Sequence, residues 1–323
     1  MTKSNSIINV AGLTKIYTLG NIFSRVKISA VDNITFDIKA GEILTLAGES
    51  GCGKTTVARI ILSFIEATNG NIFYNDKDIL HIKSRKEKKN FKKEVQAIFQ
   101  NPFETFNPLR RVEDYLFETS ENYGITSGKK EAEEHLESVL RSVGLTLSMI
   151  KNKYPSEFSG GQLQRISIAR SLITKPLLLV ADEPVSMIDA SLRMSIVNLF
   201  KELKEQYGIS VLYITHDLAT AYYVSDRIII MFRGHIVEAG SVEDVLGNPK
   251  HPYTHMLIES IPEPDPRKVW QKSVDISTDE SDEYLTKGCR FSHRCPHFME
   301  ICKNDVPDFE VEGRIVKCNL YKD

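Results

Sequence analysis

Short apolar runs recur along the chain, separated by stretches with the spacing of helices. Ile34, Phe36 and Ile38 alternate with polar neighbours, which predicts a half-buried strand ahead of a turn at Gly41. Residues 8–47 as a whole read as short strands between turns. Glu42 to Ala47 (EILTLA) predicts a buried strand, and Thr55 to Phe64 (TTVARIILSF) follows it with helical spacing. Three later runs, VQAIF from Val95, LLLVA from Leu177 and VLYI from Val211, have the same strand character. The first ends at Gln100, the second at Asp182 and Glu183, the third at His216 and Asp217. Unbroken apolar strands are those buried on both faces of a parallel sheet. Such a sheet delivers the polar residues that follow its strands to one edge, where α/β folds bind ligands. Residues 104–158 show no alternation and read as mainly helical, Lys129 to Val143 (KKEAEEHLESVLRSV) being the clearest amphipathic segment. The pattern predicts an α/β core interrupted by a helical insertion.

Composition narrows the class without choosing a function. At 323 residues the chain suits one large domain with an appendage, or two modest domains, and 41% hydrophobic and 26% charged residues are ordinary for a globular protein. The net charge of −2 gives nucleic-acid binding no support. A basic stretch at 83–93 (KSRKEKKNFKK) reads as a solvated helix face. The N-terminus lacks the apolar core of a signal peptide, and no run approaches 18 apolar residues, so the chain is not expected to cross a membrane itself.

The chemistry concentrates in Gly48-Glu49-Ser50-Gly51-Cys52-Gly53-Lys54-Thr55, followed by Thr56, which fits G-x-x-x-x-G-K-[ST] at every fixed position. Its glycines let backbone N–H groups wrap a phosphate, and the helix that follows points its N-terminus at the same anion. Lys54 then reaches the β/γ-phosphates, and the Thr55 hydroxyl is placed for Mg²⁺. The bland reading, a glycine-rich turn with a chance Gly-Lys-Thr, does not account for the strand before and the helix after. Ser159-Gly160-Gly161-Gln162 is a second helix start with an anion-ready backbone, and equally an ordinary cap. Two readings stand for Cys52: a tolerated residue at a variable loop position, or a thiol acidified by the helix N-terminus. The other cysteines, Cys289, Cys295, Cys302 and Cys318, crowd the end of the chain. In the reducing compartment that a phosphate loop implies, they suggest a metal site rather than disulfides. Their spacing does not separate zinc from an iron–sulfur cluster.

Taken together, the phosphate loop, Gln100, FSGGQ at 158–162, LLLVADEP, the Ser186/Asp189 turn and His216 resemble the nucleotide-binding subunit of an ABC transporter. FSGGQLQRISIAR, DEPVSMID, HPYTHMLIESIPEPDP and the cysteine tail are most similar to the F-type ATPase of oligopeptide/dipeptide importers. SMID at 186–189 departs from the family's usual SALD but keeps Ser186 and Asp189. The resemblance implies a P-loop NTPase (RecA-like) core with an antiparallel β subdomain over residues 1–250. It also implies a helical subdomain at about 103–165 and a small Cys-rich extension over 251–323. ATP would be hydrolysed with Glu183 as general base. His216 would hold the γ-phosphate, Gln100 would contact Mg²⁺ and the attacking water, Thr55 and Asp182 would lie on the Mg²⁺ side, and Tyr17 would stack on adenine. Ser159, Gly160, Gly161 and Gln162 would close the site of the opposite subunit, and Asp189 would lie at the nucleotide. The implied partners are a D-type second ATPase, two transmembrane permease subunits and an extracytoplasmic solute-binding protein, with this chain on the cytoplasmic face of the membrane. In that family the cysteine tail carries a [4Fe–4S] cluster, with zinc as the alternative ligand. Importers of oligosaccharides or nickel share the pattern. Soluble ABC proteins of the ribosome or of DNA repair fit less well, because they carry two ATPase units or a long coiled-coil arm.

Overall fold

The computed structural model describes residues 6–21, 24–261 and 280–322. Strands β1 (Ser6–Asn21) and β2 (Ser24–Lys39) form a long antiparallel hairpin. The expected short strands are thus two strands of 16 residues each. Bulges explain the difference: register shifts fall between Val10 and Leu13 and again on either side of Lys15. Each one resets the period of two and hides the strand's continuity. Strand β3 (Ile43–Ala47) leads through the phosphate loop into helix α1 (Lys54–Ile61). The chain then returns to the first sheet as β4 (Asn69–Tyr74) and β5 (Lys77–Asp78), completing the order β2-β1-β4-β5.

The basic stretch is helix α2 (Arg85–Glu94), solvated except where Phe91 packs inward, and it runs into β6 (Val95–Ile98). The insertion is helical: α3 (Pro102–Thr105), α4 (Val112–Asn122), α5 (Lys129–Ser142), α6 (Leu147–Ile150) and α7 (Gly160–Leu172). After it come β7 (Leu178–Asp182), α8 (Ala190–Tyr207), β8 (Ser210–Thr215), α9 (Leu218–Val224), β9 (Arg227–Phe232) and β10 (His235–Ser241). The last described elements are α10 (Val242–Gly247), α11 (Pro252–Glu259), α12 (Glu280–Leu285), β11 (Phe309–Val311) and β12 (Arg314–Val316). No helix among the described residues is long and apolar enough to cross a membrane.

The second sheet has the order β11-β12-β10-β9-β3-β8-β7-β6, parallel from β9 to β6. Its central strands are apolar at successive positions because both faces are covered. In β7, Leu179 and Ala181 join the core beneath α7 and α8, while Leu178 and Val180 join the core shared with α1 and the first sheet. In β8, Val211 and Tyr213 divide from Leu212 and Ile214 in the same way. Fully burying each such aliphatic is worth about 1.5–3 kcal/mol, so the strand ends that carry the polar residues rest on a stiff base.

The C-terminal region belongs to this sheet: β12 pairs with β10 through Glu238–Val316 and Ala239–Ile315. Beside that seam His251 caps α11, its Nδ1 accepting from the Tyr253 N–H at 3.0 Å, while the Lys250 and His251 N–H groups donate to Glu238. Complete burial pushes the His251 pKa down to about 3. Burial also lowers that of His235, on the same strand pair. Between the ordinary histidine value and these depressed values the unfolded chain binds more protons than the folded one. Stability is therefore full above about pH 6.5 and falls on acidification, His251 alone contributing up to about 1.4 kcal/mol per pH unit. Denaturant unfolding between pH 7 and 5 should show this slope reduced in His251→Asn, whose side chain retains the cap. An unchanged slope would remove His251 as its source.

Candidate active site

The carboxyl ends of four adjacent parallel strands converge. In the order β3-β8-β7-β6 they deliver the phosphate loop, His216, the Asp182–Glu183 pair and Gln100 to one edge of the sheet. The loop glycines hold left-handed backbone angles, φ being +147° at Gly48, +78° at Gly51 and +113° at Gly53. Gly48 and Gly53 have a second reason to be glycine. A Cβ on Gly48 would lie 2.1 Å from the Met231 carbonyl oxygen, and one on Gly53 would lie 2.3 Å from that of Ala30. Strands β9 and β2 therefore press on the loop from behind. The Cys52 carbonyl also accepts the Gly234 N–H at 2.8 Å, tying the loop to the β9–β10 turn.

Lys54 is buried and donates to the Gly48 and Glu49 carbonyls at 2.8 and 2.9 Å, while Ser50, Gly51 and Thr55 face solvent and Thr56 is half-buried. Thr55 Oγ1 donates to Asp182 Oδ1 at 3.2 Å. Burial holds the Asp182 carboxyl above the usual carboxylate range, opposed by that hydrogen bond and by the Arg59 and Lys54 charges, and reinforced by the charge of Glu183. A desolvated carboxylate beside a hydroxyl, opening onto a phosphate cradle, suits a hard divalent cation that takes its remaining oxygens from phosphates and water. Mg²⁺ fits these residues.

Glu183 sits one residue past its strand with φ +47°, and its N–H donates to the Ile214 carbonyl at 2.9 Å. Positive φ at a non-glycine residue is strain of the kind that collects at functional sites. Here it turns the carboxylate between two partners: Gln100 Nε2 donates to Oε2 at 3.1 Å, and His216 Nδ1 lies 3.0 Å from Oε1. An ionised carboxylate only accepts, so the proton of that contact sits on Nδ1 and Nε2 is left to face the open edge.

A family profile described as ABC transporter matches residues 31–186, and one described as the oligopeptide/dipeptide transporter C-terminal region matches residues 237–302. The chain is 38% identical over 285 residues to the oligopeptide transport ATP-binding protein OppF of Escherichia coli (strain K12), covering 88% of this chain and 85% of that protein. To AppF of Bacillus subtilis (strain 168) it is 37% identical over 298 residues, covering 91% and 90%. The chain belongs to the ABC transporter ATPases of the oligopeptide/dipeptide branch. Its backbone is also similar, with a TM-score of 0.64 and 27% identity, to an ATP-binding cassette solved as a dimer in a post-hydrolysis state with ADP and Pi. That likeness covers 73% of this chain and 98% of the other.

In this ABC ATPase the FSGGQ stretch opens helix α7 of the insertion. Ser159 caps α7 in a reciprocal box, its Oγ accepting the Gln162 N–H at 3.3 Å and its N–H donating to Gln162 Oε1 at 3.0 Å. Gly160 and Gly161 face Phe103, Met187, Ile188 and Leu192. Among the described residues no hydrogen bond or ion pair joins Ser159–Gln162 or Asp189 to Gly48–Thr56 of the same chain. Asp189 begins α8, three residues beyond Ser186, whose hydroxyl donates to the Glu183 carbonyl at 3.0 Å. Tyr17 is more than a third exposed on β1, opposite Ile28, with Lys15 Nζ 5.3 Å above its ring.

One of the two readings of Cys52 and the metal reading of the tail need correction. Cys52 is 1% exposed, and burial raises its thiol pKa despite the neighbouring Lys54, so the helix N-terminus does not make it an acidic, reactive thiol. The four tail cysteines are free thiols, close enough for Cys295, Cys302 and Cys318 each to help raise Cys289, which burial pushes up to about 12. Yet among the described residues no group of three or more His, Cys, Asp or Glu side chains is arranged to hold a metal ion. Neither the [4Fe–4S] cluster nor zinc is supported. The tail is instead held by β12 pairing and by Phe291, which is buried against Phe232 and Tyr253 with Cys289 and Cys295 packed against the same cluster as small apolar groups.

Sequence reasoning passed over a third group. Tyr253, Tyr284 and Arg294 bond the phosphate loop from outside it, and Glu283 holds Arg294. HPY at 251–253 belongs to a stretch that marks the family, but nothing in its spacing says that its tyrosine reaches Glu49.

Proposed function

We propose that this chain hydrolyses ATP to drive an importer of oligopeptides or dipeptides, working at the cytoplasmic face of the membrane beside two permease subunits, a D-type second ATPase and a solute-binding protein. The observation that carries the catalytic part is the line Gln100–Glu183–His216 facing the phosphate loop. The peptide assignment is supported by the named relatives and by the C-terminal region they share.

In this reading the loop N–H groups and Lys54 bind the triphosphate, and Tyr17 stacks on the base. Thr55 and Asp182 would hold Mg²⁺, which would supply neutralisation of phosphate charge. Glu183, oriented by Gln100 and His216, takes a proton from the attacking water. His216 presents Nε2 to the γ-phosphate, donating when both ring nitrogens carry protons. Ser159–Gln162 serve the companion's nucleotide, a reading supported by the lack, among the described residues, of any hydrogen bond or ion pair between them and the loop of their own chain. The exposed Phe99, Phe103 and Leu109 beside Gln100 offer an apolar face for a permease segment. Residues 1–250 form the ATPase unit, with the helical subdomain at about 103–165 and residues 251–323 as its extension.

Reconstitution tests this. The isolated chain should bind ATP–Mg²⁺ and turn it over slowly. Joined with a D-type ATPase and the permeases in vesicles, it should hydrolyse ATP faster when the binding protein delivers a peptide, and labelled peptide should accumulate. Accumulation of nickel or an oligosaccharide, with peptides refused, would overturn the solute assignment. A chain that never binds ATP would overturn the rest.

A further inference from the structure

The C-terminal region reaches the phosphate loop through three groups. The Tyr253 hydroxyl oxygen accepts the Glu49 N–H at 2.9 Å, and the Tyr284 hydroxyl donates to the Gly51 carbonyl. Arg294 meets the Glu49 carboxylate with both ends of its fork, Nη1 to Oε1 at 3.3 Å and Nη2 to Oε2 at 3.0 Å. Arg294 is itself fixed. Its guanidinium lies 4.9 Å from the Phe232 ring centroid and 5.5 Å from that of Phe291, and its Nε is 3.0 Å from Glu283 Oε1. Glu283 is 2% exposed and also accepts from Arg233 Nε at 2.7 Å. An exposed ion pair would contribute little. This one is bidentate, its arginine side chain is only 14% exposed, and its position is set by two rings and a second buried pair.

Glu49 is the second residue of a loop whose work is to surround phosphate with N–H groups. A carboxylate there, left unpaired, repels the ligand; paired with a fixed guanidinium, it presents no net charge. We infer that Arg294 is a positioning residue for nucleotide binding, neutralising Glu49 and steadying the phosphate loop, so that the end of the chain sets its affinity for ATP. The inference rests on the ATPase reading and adds to it a residue far along the chain that is outside every nucleotide motif.

The test is titration of the full-length chain with ATP and Mg²⁺, with unfolding followed alongside. Arg294→Ala should weaken ATP binding by about tenfold or more. In the assembled transporter the same loss should appear in KM, with kcat at saturating ATP little changed. Arg294→Lys, which keeps the charge but loses the fork, should fall between; it also stands in if the alanine variant does not fold. The deciding variant is Arg294→Ala combined with Glu49→Gln, which removes the unpaired charge and should recover most of the lost affinity. Wild-type affinity in Arg294→Ala, or a loss that Glu49→Gln does not repair, would overturn the inference. Failure of the wild-type chain to bind ATP is a different result and would count against the ATPase reading instead.

Discussion

Glu183→Gln is expected to reduce ATP turnover by about 10²–10⁴-fold, the range for removing a general base, while ATP–Mg²⁺ binding persists. The geometry supplies the reason. Glu183 reaches its place through a strained backbone turn and is gripped by Gln100 on one oxygen and by His216 on the other. Glutamine has the same shape and can still accept from one of these partners, so the site stays assembled. It cannot take a proton from water. Phosphate release and nucleotide affinity, measured in the paired ATPase, separate the two effects. Turnover near the wild-type rate would remove Glu183 as the base and leave the chemistry to be carried elsewhere at this edge.

Gly48→Ala should be as damaging, for a packing reason. The added methyl would stand 2.1 Å from the Met231 carbonyl oxygen and 2.9 Å from Cys52 Sγ, at φ +147°. Met231 is a backbone neighbour in β9, a strand buried between β3 and β10, and so it cannot yield as a side-chain tip would. We expect a loss of about 3 kcal/mol or more in unfolding free energy, and with it loss of ATP binding. Gly41→Ala is the control. Its φ is +71° but nothing lies within 4 Å of the added carbon, so strain alone applies, about 1 kcal/mol. Denaturant unfolding and ATP titration of both variants check the contrast. Equal effects would mean that the loop's fit against β9 does not matter.

Much of this site is legible in one dimension because its parts are contiguous. A loop of eight residues between a strand and a helix carries its own geometry, and so does a polar residue at the end of an apolar run. Gly48–Thr55, Asp182, Glu183, His216 and Gln100 are all of that kind, and the parallel sheet brings them together as that pattern implies. The hairpin of β1 and β2 was less legible, since its bulges break the alternation that marks a strand. Cys52 and the tail cysteines show where residue type misleads. A thiol's reactivity or ligand role depends on exposure and on distances to its neighbours, and spacing along the chain reports neither.

Local order thus settled the buried strands β3, β6, β7 and β8, the glycine loop between β3 and α1 and which side chains stand at the sheet edge, because each follows from residues within a turn or two of one another. The folded chain alone settled that the C-terminal strands join the ATPase sheet and that Arg294 grips Glu49. The partners in that contact are 245 residues apart, and the rotamers that join them are fixed by the packing of Phe232 and Phe291, which exists only after the sheet has formed.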